Sequence, residues 1–340
     1  MSQLTPRENV LRVYRGEMPE WVPVAETDMA MAVPLFLIIG GPDGPPEKGM
    51  IFNNPLGTPH IISDPFTGPM PLPGDPQVKD INHWRDYMEF PFMSPAALDW
   101  SPDIEVAKTL DRENKAISAI FGGAAFAGSP FNAMVDVLGH EAALAAMLTP
   151  EDKDAWHELI GYLTDWELEI VDKLAEIYEP DIMCIADDLA CAHGPFMSLP
   201  AYREMIKPYQ KRIVDRILEH GCYAEVHCCG FADAFVDDWV ELGVKAWNPA
   251  QVMNDLVGIK QKYGCDFVIN GGYNSQSKIN AAGASESEVR ASIRESFAKY
   301  APGGGYIFST SGMALVHELG EEHMGWIMDE AAKCSQEAYK

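Results

Sequence analysis

The segment from Glu225 to Gly230 carries the residue types and spacing of part of a metal site. It reads Glu-Val-His-Cys-Cys-Gly and ends a run in which apolar and polar residues alternate. Alternation along a strand places Glu225, His227 and Cys229 on one face and Cys228 on the other. A histidine and a cysteine two residues apart supply two of the three protein ligands typical of a catalytic zinc ion. The same residues could also be a buried thiol and a core histidine, so both interpretations stay open here.

The elements that must position this segment are strands and helices that alternate through the second half of the chain. Such alternation, with crossovers long enough for parallel strands, predicts an α/β fold. We expect a single domain over residues 1–340 that forms a (β/α)8 TIM barrel, preceded by an N-terminal helix that Thr5 caps. The seven candidate strands are 21–26, 116–121, 182–186, 223–229, 244–247, 266–270 and 306–308.

Residues 40–95 are rich in glycine and proline and contain only short β-like pieces, at 50–53 and 60–63. A stretch this long without helices is usually functional loop structure. We interpret it as an insertion that acts as a lid or a docking element, and it could contain the eighth strand.

A closed barrel explains the sequence better than an open doubly wound sheet. No glycine-rich phosphate fingerprint follows the first strand, whereas polar residues follow many strands. In a barrel these residues would share one mouth, where TIM-barrel active sites lie. They are Glu26, Asp28, Asp187, Asp188, His227, Cys229, Asn248, Asn270, Ser309 and Ser311.

Composition excludes several classes of partner. A formal net charge of -26 disfavours nucleic acid and anionic membrane surfaces, because phosphate binding needs a basic field. The first nine residues lack the apolar core of a signal peptide, and the apolar run 29–39 is too short to span a bilayer. Seven cysteines, an odd number, favour reduced thiols and a cytoplasmic location.

Several segments resemble the uroporphyrinogen decarboxylase superfamily: 5–10, 21–24, 187–189, 194–198 and 202–209. The His-Cys-Cys-Gly stretch is similar to the His-x-Cys-Gly motif of the superfamily's methyltransferase branch. These zinc-dependent enzymes handle methyl groups on corrinoid proteins. The resemblance spans nearly the whole chain.

The chain departs from these relatives in two places. Residues 26–32 read ETDMAMA, without the arginine that binds porphyrinogen carboxylates in the decarboxylases, so we reject porphyrinogen decarboxylation. Residues 308–313 read FSTSGM, without the late cysteine that completes the zinc site of the coenzyme M methyltransferases. The third zinc ligand is therefore open.

The resemblance implies a zinc-dependent methyltransferase that moves a methyl group between a small methylated substrate, or a thiol acceptor, and a corrinoid protein. The missing cysteine favours the substrate-demethylating step. We expect zinc on His227 and Cys229, where a Lewis acid activates a poor leaving group. A methylcobalamin-type corrinoid would arrive on a partner protein, because the chain has no Asp-x-His-x-x-Gly motif.

Three carboxylates are candidate catalytic groups. Asp187 and Asp188 are adjacent, so alternation lets only one face the mouth, where it would orient substrate or ligate the metal. The other would cap or pair with a loop. Glu225 could accept the second N–H of the imidazole, complete the metal site, or pair with a neighbouring strand.

Candidate substrate contacts are Asp28, Trp247, Asn270, Tyr273 and Ser311. The aromatic residues among them could equally be core. Two alternative functions stay open: a decarboxylase or lyase that acts on a small acid with Asp187 or Asp188, and a non-catalytic corrinoid- or metal-handling protein.

Overall fold

We describe the protein from a computed structural model. The structure describes residues 4–34, 47–54, 56–64, 68–88, 94–122, 128–275, 277–280, 283–310 and 315–340. Ser311, which the sequence predicts to contact the substrate, lies outside these ranges.

The described residues form an α/β fold around a parallel sheet. The strands, in chain order, are β1 Met29–Ala32, β2 Ile51–Asn53, β3 Pro59–Asp64, β4 Gly68–Pro71, β5 Ala116–Gly122, β6 Ile182–Ala186, β7 Ala190–Cys191, β8 Gly194–Pro195, β9 Tyr223–His227, β10 Ala246–Ala250, β11 Val268–Gly272 and β12 Tyr306–Ser309.

The main sheet has seven parallel strands in the order β1-β5-β6-β9-β10-β11-β12 and curls as part of a barrel. β5 and β6 are nearly continuous runs of buried apolar residues, as expected for a parallel sheet with both faces covered. Within the described chain an eighth strand is not present in this sheet, so the closed eight-stranded barrel stays a prediction.

The predicted strand 21–26 is wrong in its extent. Of these residues, Val24 makes an isolated parallel bridge to Phe308 in β12, which brings the chain before β1 against the last strand. Residues 25–28 instead form a one-turn helix. Asp28 closes this turn, because its carboxylate accepts the backbone N–H of Val24.

The helices surround the sheet and alternate with its strands. They are α1 Pro6–Tyr14, α2 Ala25–Asp28, α3 Ser101–Ala107, α4 Pro130–Leu138, α5 His140–Leu148, α6 Lys153–Tyr178, α7 Leu199–Met205, α8 Lys207–Glu219, α9 Val236–Leu242, α10 Leu256–Tyr263, α11 Glu286–Tyr300 and α12 Leu315–Glu337. The predicted N-terminal helix is confirmed: the side chain of Thr5 accepts the N–H of Glu8, and Pro6 is the first helical residue. Helices α7 and α8 are separated only by Ile206, whose backbone is not helical.

Helix α1 packs against the amino-terminal ends of the sheet strands. Val10, Val13 and Tyr14 form a small apolar cluster with residues that include Ala116 of β5 and Ile182 of β6. These strand residues are the first of their strands. The opposite, carboxyl-terminal edge of the sheet carries the residues with chemistry.

The described part of residues 40–95 contains a separate antiparallel sheet in the order β2-β3-β4. This sheet is joined to α4 by buried polar contacts. His60 Nε2 lies 3.3 Å from Asp136 Oδ1, and Asn54 Nδ2 donates to Asp136 Oδ2 at 3.2 Å. The segment therefore has its own pairing pattern and is anchored to a helix of the main fold; its role as a lid or docking element stays a prediction.

Among the described residues, no helix is both long enough and apolar enough to cross a membrane.

Candidate metal centre

Three side chains that could ligate a metal converge at the carboxyl-terminal edge of the sheet. One ligand atom from each of Asp188, His227 and Cys229 lies within 4.8 Å of the others, and all three residues are partly exposed. Asp188 follows β6, His227 ends β9, and Cys229 lies in the turn after β9. The neighbouring strands fix this arrangement, because Ala186 of β6 is in register with His227.

Two hydrogen bonds orient the His227 ring. Nδ1 lies 3.0 Å from Oδ1 of Asn248 in β10, and Nε2 faces Cys229 Sγ at 3.6 Å. When Nδ1–H donates to Asn248, Nε2 is the nitrogen available to a metal. Burial lowers the pKa of the imidazole, but Cys229, the Asp188 carboxylate and Asn248 outweigh this and raise the pKa to about 9.

Cys229 and Cys228 have different environments. The backbone N–H of Cys229 donates to Asp188 Oδ1 at 2.7 Å, and its thiol faces His227. The Cys228 thiol is buried and accepts the N–H of Leu189 at 3.2 Å. Burial raises the pKa of Cys228 well above its usual value, which keeps this thiol protonated. Cys229 is thus the cysteine that could bind a metal as thiolate.

Gly230 allows the turn after Cys229 to pack against the β7–β8 hairpin. Its φ is 86°, and a Cβ at this position would lie 2.6 Å from backbone atoms of Cys191. Both the positive φ and the close approach require glycine. The turn is held further by Gln251 and Asn254, which bond to Gly230 N and Gly230 O respectively.

Asp187 points away from the three-residue group. Its carboxylate accepts the N–H groups of Phe131 and Asn132 in the first turn of α4, and the Gln210 side-chain amide at 2.8 Å. Burial raises its pKa to about 6, against these hydrogen bonds, which favour the anion. Asp187 therefore holds the N-terminus of α4, and Asp188 is the carboxylate that faces Cys229.

Glu225 lies deeper in the sheet and is buried. Its Oε2 accepts hydrogen bonds from Tyr14 Oη at 2.6 Å and from Asn270 Nδ2 at 3.0 Å. Burial raises its pKa despite these donors. The second ring N–H of His227, which the sequence assigned to Glu225 as one possibility, meets Asn248 instead. The physical reason is depth: Glu225, in the middle of β9, lies two residues below His227, and its carboxylate is turned to Tyr14 of α1.

The remaining predicted substrate contacts already have partners within the protein. Trp247 is fully buried, and its Nε1–H donates to Cys228 O at 2.9 Å. This bond supports the backbone between the two candidate ligands His227 and Cys229. Tyr273 donates its hydroxyl to Asn280. Asp28 accepts from Trp21 Nε1 and from Val24 N. These residues position backbone segments near the mouth.

The sequence pattern alone does not single out two residues of the centre. It leaves open which of Asp187 and Asp188 faces the mouth to orient substrate or ligate a metal, and the structure places Asp188 there. The pattern shows Asn248, which orients the imidazole, only as a polar residue at the end of a strand. The signal that could have found it is its position on the strand next to β9.

A curled parallel sheet flanked by helices, with polar side chains gathered at its carboxyl-terminal edge, is the arrangement found in TIM-type α/β folds. Comparison with known families is more specific. Residues 84–334 match the uroporphyrinogen decarboxylase (URO-D) family, so the chain belongs to this family.

One solved structure shares the fold. The chain is similar to a methyltransferase from Methanosarcina mazei, with a TM-score of 0.68 and 14% sequence identity, over 97% of this chain and 99% of that chain. A second solved structure, an uncharacterized protein, matches over 50% of this chain and 45% of that chain, with a TM-score of 0.29 and 17% identity. The search of functionally curated proteins found no match.

The donor set of the centre suits a transition metal. One imidazole nitrogen, one thiolate sulfur and one carboxylate oxygen are the three ligand types that zinc uses in proteins. Three protein ligands leave one coordination position for a substrate atom. The residues present therefore fit the expected zinc ion, with Asp188 in place of the late cysteine that the chain lacks.

Proposed function

We propose that this protein is a zinc-dependent methyltransferase that removes a methyl group from a small substrate and delivers it to a corrinoid on a partner protein. The observation that carries the proposal is the convergence of Asp188, His227 and Cys229 within 4.8 Å. Membership of the URO-D family and a fold shared with a methyltransferase support it.

His227 Nε2, Cys229 Sγ and an oxygen of Asp188 would hold the zinc ion. When bound, zinc supplies Lewis acidity that stabilises negative charge on the leaving heteroatom. The chain itself keeps the ligands in place: Asn248 fixes the imidazole, and the Asp188 carboxylate fixes the Cys229 backbone. The carboxyl-terminal edge of the sheet is also where a methyl acceptor on another protein could approach.

Zinc content and methyl transfer test the proposal. Purified protein reconstituted with zinc should hold about one ion per chain, and His227→Ala and Cys229→Ser should lose it. Cys228→Ser is the matched control, because its thiol points to the Leu189 N–H and away from the group. Zinc content that is unchanged in His227→Ala would contradict the proposal.

Activity is then measured as methyl transfer from candidate ethers, amines and thioethers to cob(I)alamin. Loss of transfer in Cys229→Ser, with transfer retained in Cys228→Ser, is the expected result. No methyl transfer from any donor, together with CO₂ release or elimination from a small acid that Asp188→Asn loses and Cys229→Ser retains, would favour the alternative function of a decarboxylase or lyase. Tight binding to a corrinoid protein without transfer from any donor would favour a corrinoid-handling role.

A further inference from the structure

The strands of the main sheet have an inner face and an outer face. Each strand gives one residue to the apolar cluster around Val13 and Tyr14 of α1, for example Ala116 in β5 and Ala246 in β10. The residues that follow them in sequence, such as Ile117, belong instead to the large core that includes the surrounding helices. Because residues two positions apart on a strand share a face, the side of Ala116 and Ala246 is the inner face of the curled sheet.

One step further toward the carboxyl-terminal edge, the inner face is polar. The residues two positions after those of the apolar cluster in β5, β6, β9, β10, β11 and β12 form a polar layer: Ser118, Cys184, Glu225, Asn248, Asn270 and Ser309. The interior of a TIM barrel is usually filled by branched apolar side chains. Since His227 follows Glu225 by two residues, the polar layer lies next to the proposed metal group, on the side of α1. Buried polar groups are costly unless they are hydrogen-bonded, so the partners of this layer indicate what it does.

Several groups of the polar layer bind within the protein. Glu225 accepts a hydrogen bond from Asn270, and the Cys184 thiol faces the same carboxylate. Asn270 Oδ1 has no partner among the described residues, but it is fully enclosed, so a ligand has no access to it. Asn248 Oδ1 bonds to the His227 ring. These groups therefore hold the sheet and the imidazole in place.

The Ser118 hydroxyl and the Asn248 side-chain N–H₂ differ from the rest of the layer. Neither group makes a hydrogen bond within the described chain, although Ser118 is only 8% exposed. Both groups touch solvent, unlike the enclosed Asn270 oxygen. Met31 of β1 is in register with Ser118 on the same face and is 63% exposed, so the inner face is open to small molecules at this point.

From these two free groups we propose that the polar layer binds the body of the substrate, with Ser118 as the residue that selects it. The Ser118 hydroxyl hydrogen-bonds an oxygen or nitrogen that the substrate carries in addition to the atom bearing its methyl group. Met31 contacts the apolar part, and the Asn248 amide offers a second donor. The substrate class is thus a methyl donor with a second hydrogen-bonding group, such as a methoxy alcohol, as opposed to a simple alkyl ether. This inference rests on the proposed function, and it specifies the substrate class of the same site.

The free hydroxyl of Ser118 gives this selection a physical cause. A methoxy alcohol exchanges a hydrogen bond to water for one to Ser118, whereas an alkyl group of the same size shuts the hydroxyl off from water without giving it a partner. Sites built to bind a substrate hydroxyl discriminate in this way against analogues that lack it.

The test uses the full chain reconstituted with zinc and two probes of matched size. These probes are 2-methoxyethanol and methyl propyl ether, which differ by a hydroxyl in place of a methyl group. Saturation-transfer NMR titrations give both dissociation constants, and the alcohol should bind the wild type more tightly. In Ser118→Ala the ratio of the ether's constant to the alcohol's constant should fall by about fivefold or more. Ser118→Thr, which keeps a hydroxyl, should retain the ratio.

Ser335→Ala is the matched control, because this buried hydroxyl donates to Val22 O at 2.7 Å and lies outside the polar layer. It should leave the ratio unchanged but lower the unfolding free energy in urea, since a hydrogen bond within the protein is lost. Ser118→Ala should not lower the unfolding free energy, because the Ser118 hydroxyl has no partner within the described chain.

Four results would overturn the inference: an ether that binds the wild type as tightly as the alcohol, an unchanged ratio in Ser118→Ala, a loss of stability there equal to that in Ser335→Ala, or failure of both probes to bind. Failure of the proposed function is distinguishable, because saturation transfer requires no metal. A chain that holds no zinc but shows the Ser118 effect would contradict the proposed function and keep this binding site.

Discussion

The Asp188 carboxylate accepts the backbone N–H of Cys229 at 2.7 Å between oxygen and nitrogen. This bond joins the residue after β6 to the turn after β9, and the Asp187 N–H to His227 O bond, at 2.9 Å, runs between the same two strands. The three candidate ligands are thus held by two adjacent strand ends before any metal binds. A rigid edge of this kind limits the reorganisation that metal binding requires.

Replacing Asp188 should separate its two roles. Asp188→Asn keeps an oxygen that can accept the Cys229 N–H but removes the charge, so zinc affinity should fall by about tenfold or more with little change in stability. Asp188→Ala removes the acceptor as well and should cost about a further 1 kcal/mol of unfolding free energy. Chelator competition and urea unfolding measure the two effects. Wild-type zinc affinity in Asp188→Asn would exclude Asp188 as a ligand.

His227 and Cys229 could be found from the sequence because the signal is local. The side-chain period of a strand is 2, so residues two apart share a face wherever the strand pairs. The structure ends β9 at His227, yet Cys229 still faces the imidazole and Cys228 does not. Alternation therefore selected the thiol that faces the imidazole, although the strand was predicted two residues too long.

The partners of these two residues could not be found in the same way. Asp188 and Asn248 reach the site through the register of β6 and β10 against β9. Register depends on packing across the whole sheet, and a single sequence carries no direct record of it. The adjacent aspartates show the limit clearly: alternation required opposite directions for them, but only the position of α4 decides that Asp187 caps a helix.

The position of β1 shows the same limit for the fold. A buried apolar run at 21–26 predicted a strand, whereas the sheet uses Met29–Ala32. Val24 still pairs with β12 through one parallel bridge, but the helical turn that Asp28 closes ends the extended segment at that residue.

The Glu225 network is expected to support the fold and not the metal. Tyr14→Phe removes one of the two side-chain donors to Glu225 Oε2 and should lower the unfolding free energy by about 1–3 kcal/mol, because a buried acceptor loses a hydrogen bond. Zinc affinity should stay within about twofold, since Tyr14 contacts none of the three ligands. A large loss of zinc affinity in Tyr14→Phe would instead place Glu225 in the metal site.

Asp136 should make stability depend on pH. Burial raises its pKa to about 6, although His60 and Asn54 favour the anion. Because the folded pKa lies above the unfolded value, the contribution of Asp136 to the unfolding free energy is fully present below about pH 4. This contribution is lost as the pH rises through about 6, and the total loss is about 3 kcal/mol.

Asp136→Asn tests this contribution, since the amide does not titrate. The unfolding free energy of wild type minus that of Asp136→Asn should decrease between about pH 4 and pH 7, as measured by urea unfolding. Asp75→Asn, at a carboxylate that is 60% exposed, is the control. A difference that is constant with pH would show that Asp136 does not exchange a proton on folding.

Asn248 should act on the metal through the His227 tautomer. With Nδ1 bonded to Asn248 Oδ1 at 3.0 Å, Nε2 is left for the metal. Asn248→Ala should therefore weaken zinc binding by about tenfold, and Asn248→Asp, which keeps an acceptor, should retain it. Gln251→Ala is the matched control, because Gln251 supports the same turn through Gly230 N without contacting the ring. Nitrogen NMR of the imidazole separates positioning from a general loss of structure. Only Asn248→Ala should change the tautomer, and an unchanged tautomer there would refute this role.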